Sequence, residues 1–128
     1  IPSATRVSRT ESRFSIHQGK AIETLERFVA SETEPYDFVF IDADKPRNPD
    51  YVHASLRLSR PGTLIVVDNV IRKGAIVDAS SFDPGVIGVR QINEFLASES
   101  RIDATAIQTA MPSWRRSWSA ATRTGLKT

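Results

Sequence analysis

The chain contains no cysteine. That removes disulfides, thiolate-bound metals and a cysteine nucleophile together, and it fits the expectation of a cytoplasmic protein. Long apolar runs are missing as well. The longest, residues 38–41 and 64–67, are strand-sized, far short of the ~20 residues needed to span a bilayer, so no membrane partner is expected. The opening residues Ile1-Pro2-Ser3-Ala4-Thr5-Arg6 lack the apolar stretch of a signal peptide. The first residue is not Met, so a processed chain or a fragment is expected. No internal repeat or low-complexity tract is present in the 128 residues, a length suited to one domain.

Neither sign of charge dominates: the net charge is +2, with 40% apolar and 25% charged residues, a globular composition rather than a disordered one. The distribution is uneven. Residues 110–128 hold Arg115, Arg116, Arg123 and Lys127 without an acid, a local charge of +4 that leaves −2 on the remainder. A basic tail can meet nucleic acid or an anionic surface, but four spread charges are more often simply solvated.

The apolar pattern supplies the fold class. Phe14-Ser15-Ile16-His17 alternates, as a short strand does, and Gly19 follows it. Ala21, Ile22, Leu25, Phe28 and Val29 recur at helical spacing, so residues 20–30 read as an amphipathic helix. Residues 37–42 and 63–68 carry continuous apolar cores, the pattern of strands buried on both faces of a parallel sheet. Between them, Pro49 is placed to start a helix with Tyr51, Ala54, Ser55 and Leu58 inward, and Pro61-Gly62 ends that helix and turns the chain. Pro84 precedes a further helix with Val86, Val89, Ile92 and Leu96 inward, and residues 102–109 are β-prone. Strand, helix, strand, helix, strand, helix, strand argues for an α/β sheet with crossover helices.

Both strong strands end on acids: Asp42-Ala43-Asp44-Lys45 after the first, Asp68-Asn69 after the second. Ligands of open parallel sheets bind outside the carboxyl ends of the strands. Two successive strands joined by a crossover are often neighbours about 5 Å apart, which would set Asp42 beside Asp68. Carboxylates that close repel unless a positive charge lies between them. Asp42, Asp68 and the Asn69 carbonyl are oxygen ligands suited to Mg²⁺, Ca²⁺ or Mn²⁺ and not to zinc. They are too few to fill an octahedron, so positions stay open for water or substrate. Near a bound cation the Lys45 ammonium would be disfavoured, which would let it act as a base. A surface Asp at a strand end is the bland alternative. Two successive strands with this ending, one followed by Lys and the other by Asn, are more specific.

Tyr36-Asp37-Phe38-Val39-Phe40-Ile41-Asp42-Ala43-Asp44-Lys45 and Arg60-Pro61-Gly62-Thr63-Leu64-Ile65-Val66-Val67-Asp68-Asn69-Val70, then Gly74 and Val77, resemble the signature of the caffeoyl-CoA and catechol O-methyltransferase-like family, which is cation-dependent and uses S-adenosylmethionine. Gly19-Lys20-Ala21 with Leu25, Val89-Arg90 and residues 102–109 resemble it too, so the likeness runs over about residues 14–109. It implies a partial Rossmann-like methyltransferase sheet of mostly parallel strands. Asp42, Asp68 and Asn69 would hold Mg²⁺ or a similar ion, and Lys45 would take the proton of a catechol-like hydroxyl or another small acceptor. Gly19 and Ala21 would meet the adenine through backbone, with Asp42 beside the cofactor. Asn48 and Tyr51 correspond more loosely to pocket residues. His17 reads better as a surface or core histidine.

The resemblance also marks departures. Nothing before Gly19 resembles the family's glycine-rich turn for the rest of the cofactor, and its N-terminal strands have no counterpart here. After Gln108-Thr109 the tail diverges through Met111-Pro112-Ser113-Trp114-Arg115-Arg116-Ser117-Trp118-Ser119, and Ala120-Ala121-Thr122-Arg123 resembles the family's end again. The expectation is therefore a single truncated domain over residues 1–128, with three readings. It is an inactive methyltransferase fragment, an enzyme completed by another chain or a homodimer partner, or a non-catalytic interaction module. A nucleic-acid surface of Trp114, Arg115, Arg116 and Trp118 is the minor alternative.

Overall fold

Local chemistry fixes where the elements begin. In the computed structural model, which describes residues 14–109 and 117–125, the Asp83 side chain accepts a hydrogen bond from the Val86 amide at 2.9 Å and Pro84 follows it. That cap and first-turn proline start α3 (Pro84–Ser98). Pro49 takes the same place in the first turn of α2 (Asn48–Arg57), next to Asp50. The preceding helix, α1 (Ala21–Ala30), has no side-chain cap. The strands are β1 (Tyr36–Ile41), β2 (Ser59–Val67), β3 (Ile102–Thr109) and β4 (Ser117–Thr124). Two 3₁₀ segments, Lys45–Arg47 and Arg72–Val77, follow the ends of β1 and β2.

The strands form a sheet in the order β1-β2-β4-β3. β1 and β2 are parallel, with Ile41 opposite Val67, and α2 is the crossover between them. β4 runs antiparallel to both β2 and β3. The expectation of mostly parallel strands therefore describes the β1–β2 half. The C-terminal strand turns back as a hairpin from β3 and inserts beside β2. The tail sequence gave no alternation from which that strand could be read.

Pro61 and Gly62 do not end α2 as expected. They lie within β2, where the register slips between Tyr36↔Ser59 and Phe38↔Leu64. Proline has no N–H for the ladder and Gly62 sits at φ +96°, so the strand bulges there. Thr63 Oγ1 closes the bulge, donating to the Tyr36 carbonyl at 2.6 Å and accepting from the Arg60 amide at 2.9 Å.

The core lies on one face of the sheet. Ile41, Ile65, Val67 and Ile102 point to it, and Tyr51, Val52, Val89, Ile92 and Leu96 come down from α2 and α3. The inward positions read from the α2 and α3 periodicity are all buried. The opposite face is bare. Phe38 and Phe40 are 56% and 57% exposed, so β1 is not buried on both faces as its apolar run suggested: nothing among the described residues covers that side. Nor do residues 14–17 form a strand. An alternating segment becomes a strand only when a neighbour offers a ladder, and none is present among the described residues.

Candidate active site

The carboxyl ends of β1 and β2 are joined: the Asp68 amide donates to the Ile41 carbonyl at 3.0 Å. Asp42 and Asp68 therefore leave the sheet side by side, one strand spacing apart. Asn69 follows at φ +60°, a left-handed conformation that asparagine tolerates better than most residues, and it turns the chain at once over the edge. Asp68 and Asn69 each have a polar partner of their own. The 3₁₀ segment after β1 folds Lys45 back so that Nζ donates to Asp42 Oδ1 at 3.1 Å. The Lys45 side chain is only 11% exposed.

What holds Lys45 is α3. A Cβ built on Gly88 would lie 2.3 Å from the Lys45 carbonyl oxygen, and one on Gly85 would lie 3.4 Å from Lys45 Cβ and from Arg72 Nη2. The backbone of Lys45-Pro46 thus occupies space that any side chain at Gly88 would need. Neither glycine was singled out in the sequence, because their role depends on a segment forty residues away.

Asn48 and Tyr51, weakly suggested by the resemblance, sit at the start of α2 on this same edge. The Tyr51 hydroxyl donates to Asp44, tying the loop after β1 to α2. Burial, then the Asp44 carboxylate, pushes the Tyr51 phenol up to about 12. Asn48 is fully buried, with neither Nδ2 nor Oδ1 hydrogen-bonded to protein. Buried polar atoms of that kind are commonly met by an ordered water.

The loop after Asn69 is clamped from α3. Arg90 donates from Nε to the Ile76 carbonyl at 2.9 Å and from Nη1 to the Ser81 carbonyl at 3.2 Å, and Nη2 reaches the Ala75 and Asp78 carbonyls. Asn93 Nδ2 donates to the Val70 carbonyl at 3.1 Å. Arg90 entered the sequence reading only as part of a likeness; its clamp consists of backbone carbonyls, which leave no trace in residue type.

Gly19 and Ala21 lie at the N-terminal end of α1. α1 lies parallel to α2, since Glu26 pairs with Arg57 at 2.6 Å while Ile22 shares a groove with Asp50 and Ala54. Both residues are exposed, and Gly19 has φ +129°. That groove, about 420 Å³, is lined by none of Asp42, Lys45, Asp68 or Asn69. His17 is exposed and stands edge-on to Phe28 at 5.1 Å, a surface role. Trp114, Arg115 and Arg116 lie outside the described residues.

Among the described residues no three Asp, Glu, His or Cys side chains converge. A cation at the sheet edge would therefore have two carboxylates and neutral oxygens, a hard donor set with open positions. No helix among the described residues is long and apolar enough to cross a membrane.

An O-methyltransferase family model matches residues 5–111. The chain belongs to the O-methyltransferase family. It is similar to a catechol O-methyltransferase of Niastella koreensis, with 48% identity over 97 residues, 76% of this chain and 44% of the relative. Its fold superposes on a candidate O-methyltransferase from Klebsiella pneumoniae with a TM-score of 0.83 and 41% identity, covering 90% of this chain and 51% of the other. A Bacillus cereus O-methyltransferase, solved in complex with SAH, is 43% identical with a TM-score of 0.77, over 83% of this chain and 48% of that one. The chain spans about half the length of the relatives it matches.

Proposed function

We propose that this chain carries the acceptor- and cation-holding half of an S-adenosylmethionine-dependent O-methyltransferase acting on a catechol-like or other small hydroxyl acceptor. The observation that carries the reading is the pairing of Asp42 and Asp68 at the joined ends of β1 and β2, with Lys45 held against Asp42. The family match and the SAH-bound relative support the donor.

Asp42, Asp68 and Asn69 would hold a divalent cation, Mg²⁺ best fitting an all-oxygen set. Such an ion lowers the pKa of a hydroxyl that it binds. Lys45, as the neutral amine, would take the acceptor proton: its Nζ lies at the sheet edge, with its backbone packed on Gly88 and its side chain on Asp42. Asp44 and Tyr51 keep the loop that bears Lys45 docked on α2. Gly19 and Ala21, at the exposed N-terminal end of α1, would approach the donor's adenine with backbone, glycine leaving room for it. Methyl transfer to the resulting oxyanion would then depend mostly on alignment of donor and acceptor.

Calorimetric titration of S-adenosylmethionine into the chain, with and without Mg²⁺, tests the reading. Binding of the donor, tightened or made productive by Mg²⁺ and weakened by Asp42→Ala, is expected of a functional site. A folded chain that takes up neither Mg²⁺ nor donor, alone or supplied with the remainder of a relative, would be a non-catalytic module that keeps the residues without the chemistry.

A further inference from the structure

Arg57 pairs with Glu26 and Arg101 with Glu99, both beside the groove of α1 and α2. Arg60 pairs with Asp37, Lys45 pairs with Asp42, and Arg90 donates to backbone carbonyls. Arg72 differs. Among the described residues its guanidinium has neither an ion pair nor a hydrogen bond, and its Nε is buried without a partner. The side chain as a whole is half-buried, so its terminal nitrogens reach the surface.

Arg72 lies at the edge that bears the candidate site. It follows Asn69 by three residues, in the turn that leaves the carboxyl end of β2. Its Nη2 is 3.4 Å from the point that a Cβ on Gly85 would occupy, and Lys45 Cβ is 3.4 Å from the same point. The guanidinium and the Lys45 side chain therefore meet against the first turn of α3. The acids of this edge are already engaged. Asp42 takes Lys45, Asp83 Oδ1 caps α3 through the Val86 amide, and Asp68 has a polar partner of its own.

The backbone that carries Arg72 is strained. Arg72 and Lys73 have φ of +49° and +55°, and Gly74 follows at +90°. Left-handed residues other than glycine persist where the surroundings over-determine them, and they gather at ligand-binding sites. Here the Arg72 amide donates to the Asn69 carbonyl at 3.4 Å, the Gly74 amide donates to the Ile71 carbonyl at 2.9 Å, and Arg90 holds the Ala75 and Ile76 carbonyls just beyond. A half-buried guanidinium without a partner is a cost to the fold. A carboxylate removes that cost, because two terminal N–H groups grip its two oxygens as a fork.

We propose that Arg72 binds a carboxylate of the acceptor, so that the acceptor is an anionic aryl diol. Its vicinal hydroxyls face Asp42, Asp68 and Asn69, and its carboxylate meets Arg72. The proposal rests on the function given above and adds the charge of the substrate. Held at both ends, the ring cannot turn over, and one hydroxyl is fixed on the side of Lys45.

Calorimetry on the full chain with Mg²⁺ at neutral pH compares a dihydroxybenzoate that has vicinal hydroxyls with its neutral amide. The acid is expected to bind about tenfold more tightly. Arg72→Gln is expected to lower the affinity for the acid to that for the amide, with a melting temperature at or above that of the unaltered chain. Arg72→Lys should keep only part of the preference, since an ammonium lacks the fork. An Arg72→Gln variant that melts lower and loses both ligands equally would make Arg72 a support of the turn and overturn the proposal. Equal binding of acid and amide by the unaltered chain would overturn it too, and would leave the proposed function standing. A preference for the acid that needs Arg72 but neither Mg²⁺ nor Asp42 would keep the anion site and remove the cation. If neither ligand binds, both readings fall.

Discussion

The carbonyl oxygen of Lys45 rests on Gly88 of α3, so closely that a Cβ at Gly88 would lie 2.3 Å from it and 3.0 Å from the Pro46 Cα. Glycine in a helix interior costs roughly 1 kcal/mol relative to alanine, so alanine would be preferred here if the helix alone mattered. Gly88→Ala is instead expected to destabilise the chain by about 1–3 kcal/mol, as overpacking does, and to push the Lys45 loop off α3. Denaturant melts give the first number. Loss of the Lys45–Asp42 contact in an NMR spectrum gives the second; a more stable variant with that contact intact would contradict the packing.

Lys45 is now the counter-charge to Asp42. Lys45→Met should therefore tighten binding of Mn²⁺ or Mg²⁺ by several-fold, about tenfold at most, because a competing cation is gone. It should abolish methyl transfer wherever the complete enzyme can be assayed. Asp42→Asn and Asp68→Asn should each weaken the metal by about tenfold or more. Paramagnetic broadening by Mn²⁺ is the readout, and indifference of the metal to both aspartates would locate it elsewhere.

Two groups add pH dependence to the stability of the fold. Tyr51 titrates at about 12, raised by burial and by the Asp44 carboxylate from an ordinary value of 10.0. Its raised value contributes stability below pH 10 that is lost as the pH climbs from there through 12. Glu99 is held down at about 2 by hydrogen bonds from the Arg101 side chain and backbone, against an ordinary 4.5. Its contribution is present above pH 4.5 and disappears as the pH falls toward 2. Tyr51→Phe should remove the alkaline component and cost about 1 kcal/mol at neutral pH; Glu99→Gln should flatten the acid limb. Urea midpoints across the pH range check both.

Arg90 spends its guanidinium on the carbonyls of Ala75 and Ile76 within the second 3₁₀ segment and of Asp78 and Ser81 just after it. Arg90→Lys cannot span them, since an ammonium lacks the planar fork. Amide exchange in residues 75–81 should accelerate about tenfold or more in Arg90→Lys and Arg90→Ala, with little change in β1 or β2. Uniform acceleration across the chain would mean that Arg90 supports the whole fold rather than the loop.

Much of the structure was legible in residue order. The α2 and α3 faces follow from helical spacing because burial selects apolar residues every three or four positions, and Val52, Val89 and Ile92 end at or near zero exposure. The pair Asp42 and Asp68 could be placed together because a parallel crossover brings successive strands into contact with their carboxyl ends level. Chemistry-bearing side chains at strand ends have a position that the chain direction alone supplies.

Other features depended on what lies across space. The run 38–41 specifies a strand in the sequence, yet whether both faces are covered depends on other polypeptide, and among the described residues nothing covers one face. Residues 14–17 alternate like a strand and are not one, because a ladder needs two partners. The inserted β4, the notch at Gly88 and the carbonyl clamp of Arg90 are contacts between segments far apart in the chain, made by backbone atoms that every residue possesses. The sequence by itself determined the helices, the strands β1 and β2 and the acids at their ends, since periodicity and chain direction act locally. Tertiary structure alone decided how Lys45 is held and which apolar face remains to be covered, since those depend on which surfaces meet.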